Sequence, residues 1–344
     1  MKQELLKSAD ASGSVTHKVL VVGLGGQTRK DHIPALMRRK DVKIIGIVDT
    51  NQALLDEYHL LIGVPVFTSL VDAIQTGMPD LAIVSVPHFE YSGILRTLAA
   101  HKIATLKEKP LAMTYQEAIE IINMYQDSDT YLQICVQRRF SKLYDTTKKL
   151  LDSIGRVYSV YVEYTMKLSA EDMASGWRAD KKISGGGAAL DMGYHSIDLL
   201  TYIFGTPDKV YAQLNYHSLD SNYTIDGTMK AMMTYRDGRI NANLVVTKIF
   251  NQKNEKVRIF GSDGSIYVDE RKVTLYDKDG VEMESHSFNF KTEEVDQQLS
   301  YFIEKSKKNR FDSRDRNLKD QLNNMLVIDS IYKSHDISQV IKLG

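Results

Sequence analysis

The stretch HKVLVVGLGGQT, residues 17–28, decides the fold. An apolar, β-branched run ends at Val22, and Gly23, Gly25 and Gly26 follow at once. A helical pattern comes next, with Ile33, Leu36 and Met37 at i, i+3 and i+4. A glycine-rich turn between a strand and a helix lets backbone N–H groups approach a pyrophosphate at the positive end of the helix. Gly23, Gly25, Gly26, Gln27 and Thr28 are therefore candidate cofactor contacts. Thr28 stands where G-x-G-x-x-G usually has its third glycine. Its branched side chain predicts crowding between helix and strand, and hence an altered turn.

Working outward, apolar runs at 19–22, 44–48, 64–67, 81–86, 103–106 and 131–136 alternate with amphipathic stretches, the pattern of parallel βαβ units. Six strands with crossovers predict a doubly wound Rossmann domain over 18–136, of the α/β class. The second strand ends at Asp49, followed by Thr50, where an acidic residue accepts the adenosine ribose hydroxyls. A 2′-phosphate would meet like charge there, and neither Thr50 nor Asn51 supplies a counter-cation, so NAD is preferred and NADP stays the open alternative. Pro87 and His88, after the fourth strand, are further candidate contacts. His88 either reaches the cofactor ribose or is an ordinary loop histidine.

From 137 to 344 the texture changes to an α+β domain. Strand-like segments at 157–167, 210–216, 228–235, 240–246, 256–260, 265–268 and 272–276 follow one another, some joined by turn dipeptides such as Asp237-Gly238. An open, mainly antiparallel mixed sheet is expected, with helices near 188–204, 294–307 and 318–334. The mixed-charge stretch 304–320 reads as a solvated helix face or loop.

Lys plus Arg and Asp plus Glu both number 44, so no global field favours a polyanion. Nucleic-acid and membrane-surface partners lose their electrostatic footprint, and a small molecule is the expected partner. Cys135 is the single cysteine, which excludes an intramolecular disulfide and a multi-cysteine zinc site. Residues 1–17 lack the apolar core of a signal peptide and read as a flexible leader, and no apolar run reaches about 18 residues. A cytoplasmic location is the expectation.

Three features outside the glycine turn converge: Glu108-Lys109-Pro110, Gln137-Arg138-Arg139-Phe140, and SGGGAALDMGYHSID at 184–198. Through its E-K-P and D-x-G-x-H motifs the chain resembles the Gfo/Idh/MocA family, which includes glucose–fructose oxidoreductase and inositol dehydrogenase, over residues 18–343. The resemblance implies a Rossmann domain and a C-terminal domain whose open sheet often forms oligomer interfaces, here a homodimer or homotetramer. It also implies catalysis by Lys109, Asp191 and His195, with no metal. Where the family often reads P-N-x-x-H, this chain has Pro87-His88-Phe89-Glu90-Tyr91, so nicotinamide-side contacts are expected to differ.

The chemistry of those residues agrees. Lys109 follows a strand at the carboxyl edge of the sheet, where such sheets bind ligands, and can stabilise a developing alkoxide as hydride leaves the adjacent carbon. Glu108 is counted with it among the cofactor contacts. Asp191 and His195, four apart in a helical pattern, project from one face and can meet one hydroxyl. An imidazole with an ordinary pKa near roughly 6.5 suits the general base, and the carboxylate suits orienting the hydroxyl and supporting the imidazolium. Trp177, Arg178 and Lys181, with Arg138 and Tyr194, are candidates for the sugar pocket, and several cations would favour a phosphorylated or carboxylated sugar. Gly185, Gly186 and Gly187 permit either a close approach to a ligand or a simple turn. The expected activity is NAD(P)-dependent hydride transfer to or from a secondary alcohol of a sugar, inositol, sugar phosphate or nucleotide sugar. The alternatives are a non-catalytic dinucleotide-binding regulator and an NAD-assisted glycosidase.

Overall fold

The computed structural model describes residues 16–167, 176–217, 223–288 and 291–343, so the expected leader lies almost wholly outside the described residues. Two compact units result. One comprises the described residues through Lys109 with Glu120–Gln137 and Lys291–Leu318; the other comprises Pro110–Ile119, Arg138–Phe290 and the chain from Lys319.

In the first unit the strands β1 (His17–Val22), β2 (Val42–Val48), β3 (Val66–Phe67), β4 (Leu81–Val84), β5 (Ala104–Glu108) and β6 (Leu132–Cys135) form a sheet in the order β3-β2-β1-β4-β5-β6. Every pairing in it is parallel. That is the Rossmann order, with the connection reversing direction between β1 and β4. Crossover helices cover both faces of such a sheet, which is why β4 and β5 are buried along their whole length. The core joins Val19, Val21, Ile47, Ile83 and Leu106 to Leu299 and Phe302.

Those last two residues correct the expected domain boundary. The helix Lys291–Ser306 presents Val295, Leu299, Phe302 and Ile303 along one face and buries them in the Rossmann core, so 291–318 belongs to the first unit. The charge-dense stretch after it is not the uniformly solvated segment expected: Asp315 and Asp320 are buried, and Asp320 accepts from the Arg139 guanidinium at 2.6 Å.

In the second unit, the described residues form a nine-stranded sheet. Its members are β7 (Val157–Lys167), β8 (Lys209–Asn215), β9 (Thr228–Tyr235), β10 (Ile240–Thr247), β11 (Ile249–Gly261), β12 (Gly264–Asp269), β13 (Lys272–Asp277), β14 (Glu282–Ser287) and β15 (Ile341–Lys342). The order is β14-β13-β12-β11-β7-β10-β9-β8-β15. Only β7 and β10 pair in parallel among these strands; the others are antiparallel. Alternation in β8 and β9 buries every second side chain, the mark of a sheet covered on one face. The other face exposes Tyr161 and Met232. The helix Gly193–Phe204 packs on the covered face, where Gly193 lies against Met229 and Val246.

Candidate functional site

The carboxyl ends of β1, β2, β4 and β5 lie on one edge of the parallel sheet and carry the cofactor candidates. Gly23 follows β1 with φ +93°, and a Cβ there would sit 2.1 Å from the Ser85 carbonyl oxygen, so only glycine fits between β1 and the end of β4. Its N–H donates to the Val48 carbonyl at 2.8 Å. Beyond it the turn is open: a Cβ on Gly26 would meet nothing within 4 Å. This is a fit for a pyrophosphate laid against backbone.

The altered turn expected at Thr28 is present as a π-helical turn, Thr28–His32, that runs into the helix Ile33–Met37. Thr28 itself is fully buried, and its Oγ1 lacks a hydrogen-bond partner among the described residues. The extra width of a π turn accommodates the branched side chain where glycine would otherwise let helix and strand close up. Thr28 therefore packs its side chain inside, at the base of the glycine turn. Gln27 donates to Asp31 one turn on.

Asp49 joins this turn to β2. One carboxylate oxygen accepts from the Leu24 N–H and the other from the Asn51 N–H at 2.8 Å, so the carboxylate stands at the turn with Thr50 exposed beside it. Pro87 is half-buried, while His88 is buried and stacks on Tyr91 with ring centroids 5.8 Å apart.

Glu108, the last residue of β5, faces inward. Its Oε1 lies 2.8 Å from His32 Nε2, and its Oε2 accepts the backbone N–H of Lys109 at 3.2 Å. Burial alone would push this carboxyl up. The hydrogen bond and charge of His32, with Lys109 and Lys107, outweigh burial and hold it below the ordinary carboxylate range. Glu108 thus anchors the backbone of Lys109. His32 is a partner the sequence reading missed, because nothing in the local pattern marks a histidine whose partner lies 76 residues away. Cys135 joins them as a buried, free thiol, pushed well up by burial and by the Glu108 charge.

In the second unit the chain from Gly186 to Thr201 is buried at every position except two, Asp191 and His195. A helix embedded in a core has no reason to present a carboxylate and an imidazole at i, i+4 unless that one strip of its surface faces something polar. Asp191 lies in a second π-helical turn, Ala188–Met192, at the start of this helix. Its Oδ2 accepts from Lys248 Nζ at 2.6 Å, and Lys248 is itself buried. Lys248 also escaped sequence reading: a single lysine at a strand junction carries no motif.

The helix start is held by Asp226, another residue without a sequence signal. Its buried carboxylate accepts the N–H groups of Gly187 and Ala189 at 2.7 Å each and the Tyr332 hydroxyl at 2.9 Å. Burial pushes the Asp226 carboxyl up, against the pull of those donors. The same arrangement explains Gly187, where a Cβ would fall 2.0 Å from the Asp226 carbonyl oxygen. Gly185 and Gly186 lie instead against side chains, Met113 and Leu190 for the first and Tyr332 for the second.

Of the remaining candidates, Tyr194 is turned into the core. It is fully buried, its hydroxyl donates to Gln321 Oε1 at 2.7 Å and receives the Leu111 N–H at 3.3 Å, so it braces the helix from behind. Arg138 pairs with Glu255 and lies over the Tyr164 ring at 5.3 Å, so its charge is already engaged. Tyr164 in turn feels the charge of Asp191, which puts Arg138, Tyr164 and Asp191 in one neighbourhood. Arg178 stacks on Trp177 at 4.3 Å, and Lys181 is exposed beside the Tyr332 ring at 4.9 Å.

Comparison with known proteins gives two family matches. Residues 17–135 match the description "Oxidoreductase family, NAD-binding Rossmann fold", and residues 144–267 match "GFO/IDH/MocA C-terminal domain". A putative UDP-kanosamine synthase oxidoreductase subunit from Amycolatopsis mediterranei is 27% identical over 55% of this chain and 52% of its own length. Glucose-6-phosphate 3-dehydrogenase from Bacillus subtilis is 27% identical over 58% of this chain and 57% of its own. The alignment thus spans little more than half of either relative. Among solved structures, the WlbA dehydrogenase from Bordetella pertussis, in complex with NADH and UDP-GlcNAcA, superposes with a TM-score of 0.81, covering 96% of this chain and 99% of that one at 21% identity. That likeness is one of fold. No helix among the described residues is long and apolar enough to cross a membrane.

Proposed function

The chain belongs to the GFO/IDH/MocA oxidoreductase family, with an NAD-binding Rossmann domain over residues 17–135; we propose that it moves a hydride between NAD and a secondary alcohol or ketone of a sugar-like substrate. The observation that carries this reading is the helix buried from Gly186 to Thr201 except at Asp191 and His195. A regulator that only binds dinucleotide has no need of that pair.

In this reading Gly23, Gly25 and Gly26 receive the pyrophosphate, and Asp49 accepts ribose hydroxyls, which selects NAD over NADP. The bound nicotinamide supplies the hydride acceptor. Lys109, its backbone anchored by the Glu108 carboxylate, stabilises negative charge as the alcohol loses its proton. His195 takes that proton at an imidazole nitrogen, and Asp191 orients the hydroxyl and supports the imidazolium. One relative named above is a glucose-6-phosphate 3-dehydrogenase and another a putative UDP-kanosamine synthase oxidoreductase subunit, and Arg178 and Lys181 are the cations here that would meet a phosphorylated or nucleotide-linked sugar. Subunits would pair through the open face of the nine-stranded sheet, where Tyr161, Phe260, Tyr267 and Tyr276 form an aromatic ladder across β7, β11, β12 and β13.

The test is a spectrophotometric panel of NAD and NADP against inositols, free sugars, sugar phosphates and nucleotide sugars. Reduced nicotinamide should appear with NAD and an anionic sugar, and Arg178→Ala with Lys181→Ala should raise KM for it. Binding of NAD with no turnover across the panel would favour the regulatory reading. Release of free sugar without net reduction would favour the glycosidase.

A further inference from the structure

Lys248 stands at the junction of β10 and β11, its backbone N–H tied to the Gly227 carbonyl at 2.8 Å. Its side chain is 1% exposed, whereas that of Asp191, to which it donates at 2.6 Å, is 21% exposed. The ammonium therefore lies behind the carboxylate, on the protein side. A buried ammonium–carboxylate pair costs desolvation that its own attraction roughly repays, so an apolar pair of similar volume would serve stability as well. What the pair does supply is a carboxylate of fixed orientation and charge.

We propose that Lys248 is a positioning residue for the reaction, holding Asp191 as an oriented anion so that His195, and not Asp191, exchanges the proton. The inference rests on the dehydrogenase reading and names a residue that neither motif contains. The groups facing Asp191 support it. Tyr164 comes from β7, Arg138 lies over its ring, and Glu255 from β11 engages that guanidinium, while His195 stands one turn further along the helix. With Arg138 committed to Glu255, the balancing cation at Asp191 is Lys248.

Removing that cation should make Asp191 easier to protonate. The decisive comparison is wild type against Lys248→Met, Lys248→Gln and Lys248→Arg, read in two ways. A ¹³C-carboxyl NMR titration, with Asp191→Asn to assign the signal, needs no turnover. The pH profile of kcat/KM needs the substrate. The Met and Gln variants should raise the Asp191 midpoint by roughly one pH unit or more, and loss of the nearby cation should also move the acid limb, set by His195, upward. They should also lower kcat by roughly tenfold or more with a smaller change in KM, and the Arg variant should restore the acid limb. Lys248→Gln keeps a donor to Asp191 and carries the test if the Met variant does not fold. An unshifted Asp191 titration in either folded neutral variant overturns the proposal. A shifted titration in a protein that oxidises no sugar leaves Lys248 as the residue that charges Asp191 and overturns the dehydrogenase reading instead.

Discussion

Replacing Asp226 with alanine should damage the second unit and its helix of candidate residues more than any surface change nearby. The carboxylate satisfies three donors in the interior, the N–H groups of Gly187 and Ala189 and the Tyr332 hydroxyl. Each buried donor left without an acceptor costs about 1–3 kcal/mol, the hydroxyl least because it can turn. Against that, alanine removes the cost of keeping a carboxylate out of water, the same burial that pushes Asp226 upward. The net loss should be about 3–4 kcal/mol for Asp226→Ala. For Asp226→Asn, which keeps one acceptor but turns an NH₂ toward a donor, it should be roughly half that. Trp177 is the only tryptophan in the chain and belongs to the same unit, so urea unfolding followed by its fluorescence reads the right transition. The pH dependence has a definite sign. Because the folded state raises this carboxyl, its contribution is fully present below the unfolded pKa and declines as pH rises through the raised folded value. An Asp226→Ala protein whose transition midpoint matches wild type from acid to neutral pH would refute this account of the helix start.

Three further outcomes follow from the first unit. Gly23→Ala must move the Ser85 carbonyl, 2.1 Å from the new Cβ, and adopt φ near +93°; it should cost about 2 kcal/mol or more and weaken NAD binding, measured by calorimetry, and undiminished affinity would show that the turn does not touch the dinucleotide. Glu108 is held low by His32, so its contribution to stability is present above the unfolded carboxyl pKa and lost as pH falls through the depressed folded value. Glu108→Gln should therefore flatten the acid limb of a Tm-against-pH curve, and an unchanged limb would contradict the pairing. The Cys135 thiol, buried and pushed well up, should resist a disulfide reagent in the native protein at neutral pH and react with one equivalent on unfolding. Rapid stoichiometric labelling of the folded protein would show the site to be open.

The Rossmann half was legible because its strands are buried on both faces and its helices alternate with them, so period and length both change at each boundary. The glycine turn was legible with its flaw: a branched residue at the third glycine position called for an altered turn, and a π turn is what the chain makes there. Recognition failed where position along the chain and position in space part company. The helix Lys291–Ser306 reads locally as a C-terminal amphipath, and nothing local tells which core its apolar face enters. The strand β14, EMESHS, is polar apart from Met283 and has no alternation to read. The pair Asp191 and His195 was visible through its spacing, whereas Lys248, Asp226 and His32 act through partners tens of residues away and carry no signature of their own.

The central claim is that Lys109 and His195 act on a bound sugar-like alcohol with NAD as hydride acceptor. The most direct test is the rate of reduced-nicotinamide formation, on the best substrate of the panel, by wild type, Lys109→Ala and His195→Ala proteins saturated with NAD. Each variant should lose roughly 10²–10⁴-fold in kcat, with the His195→Ala protein keeping its dinucleotide affinity. Turnover unaffected by either substitution would contradict the claim.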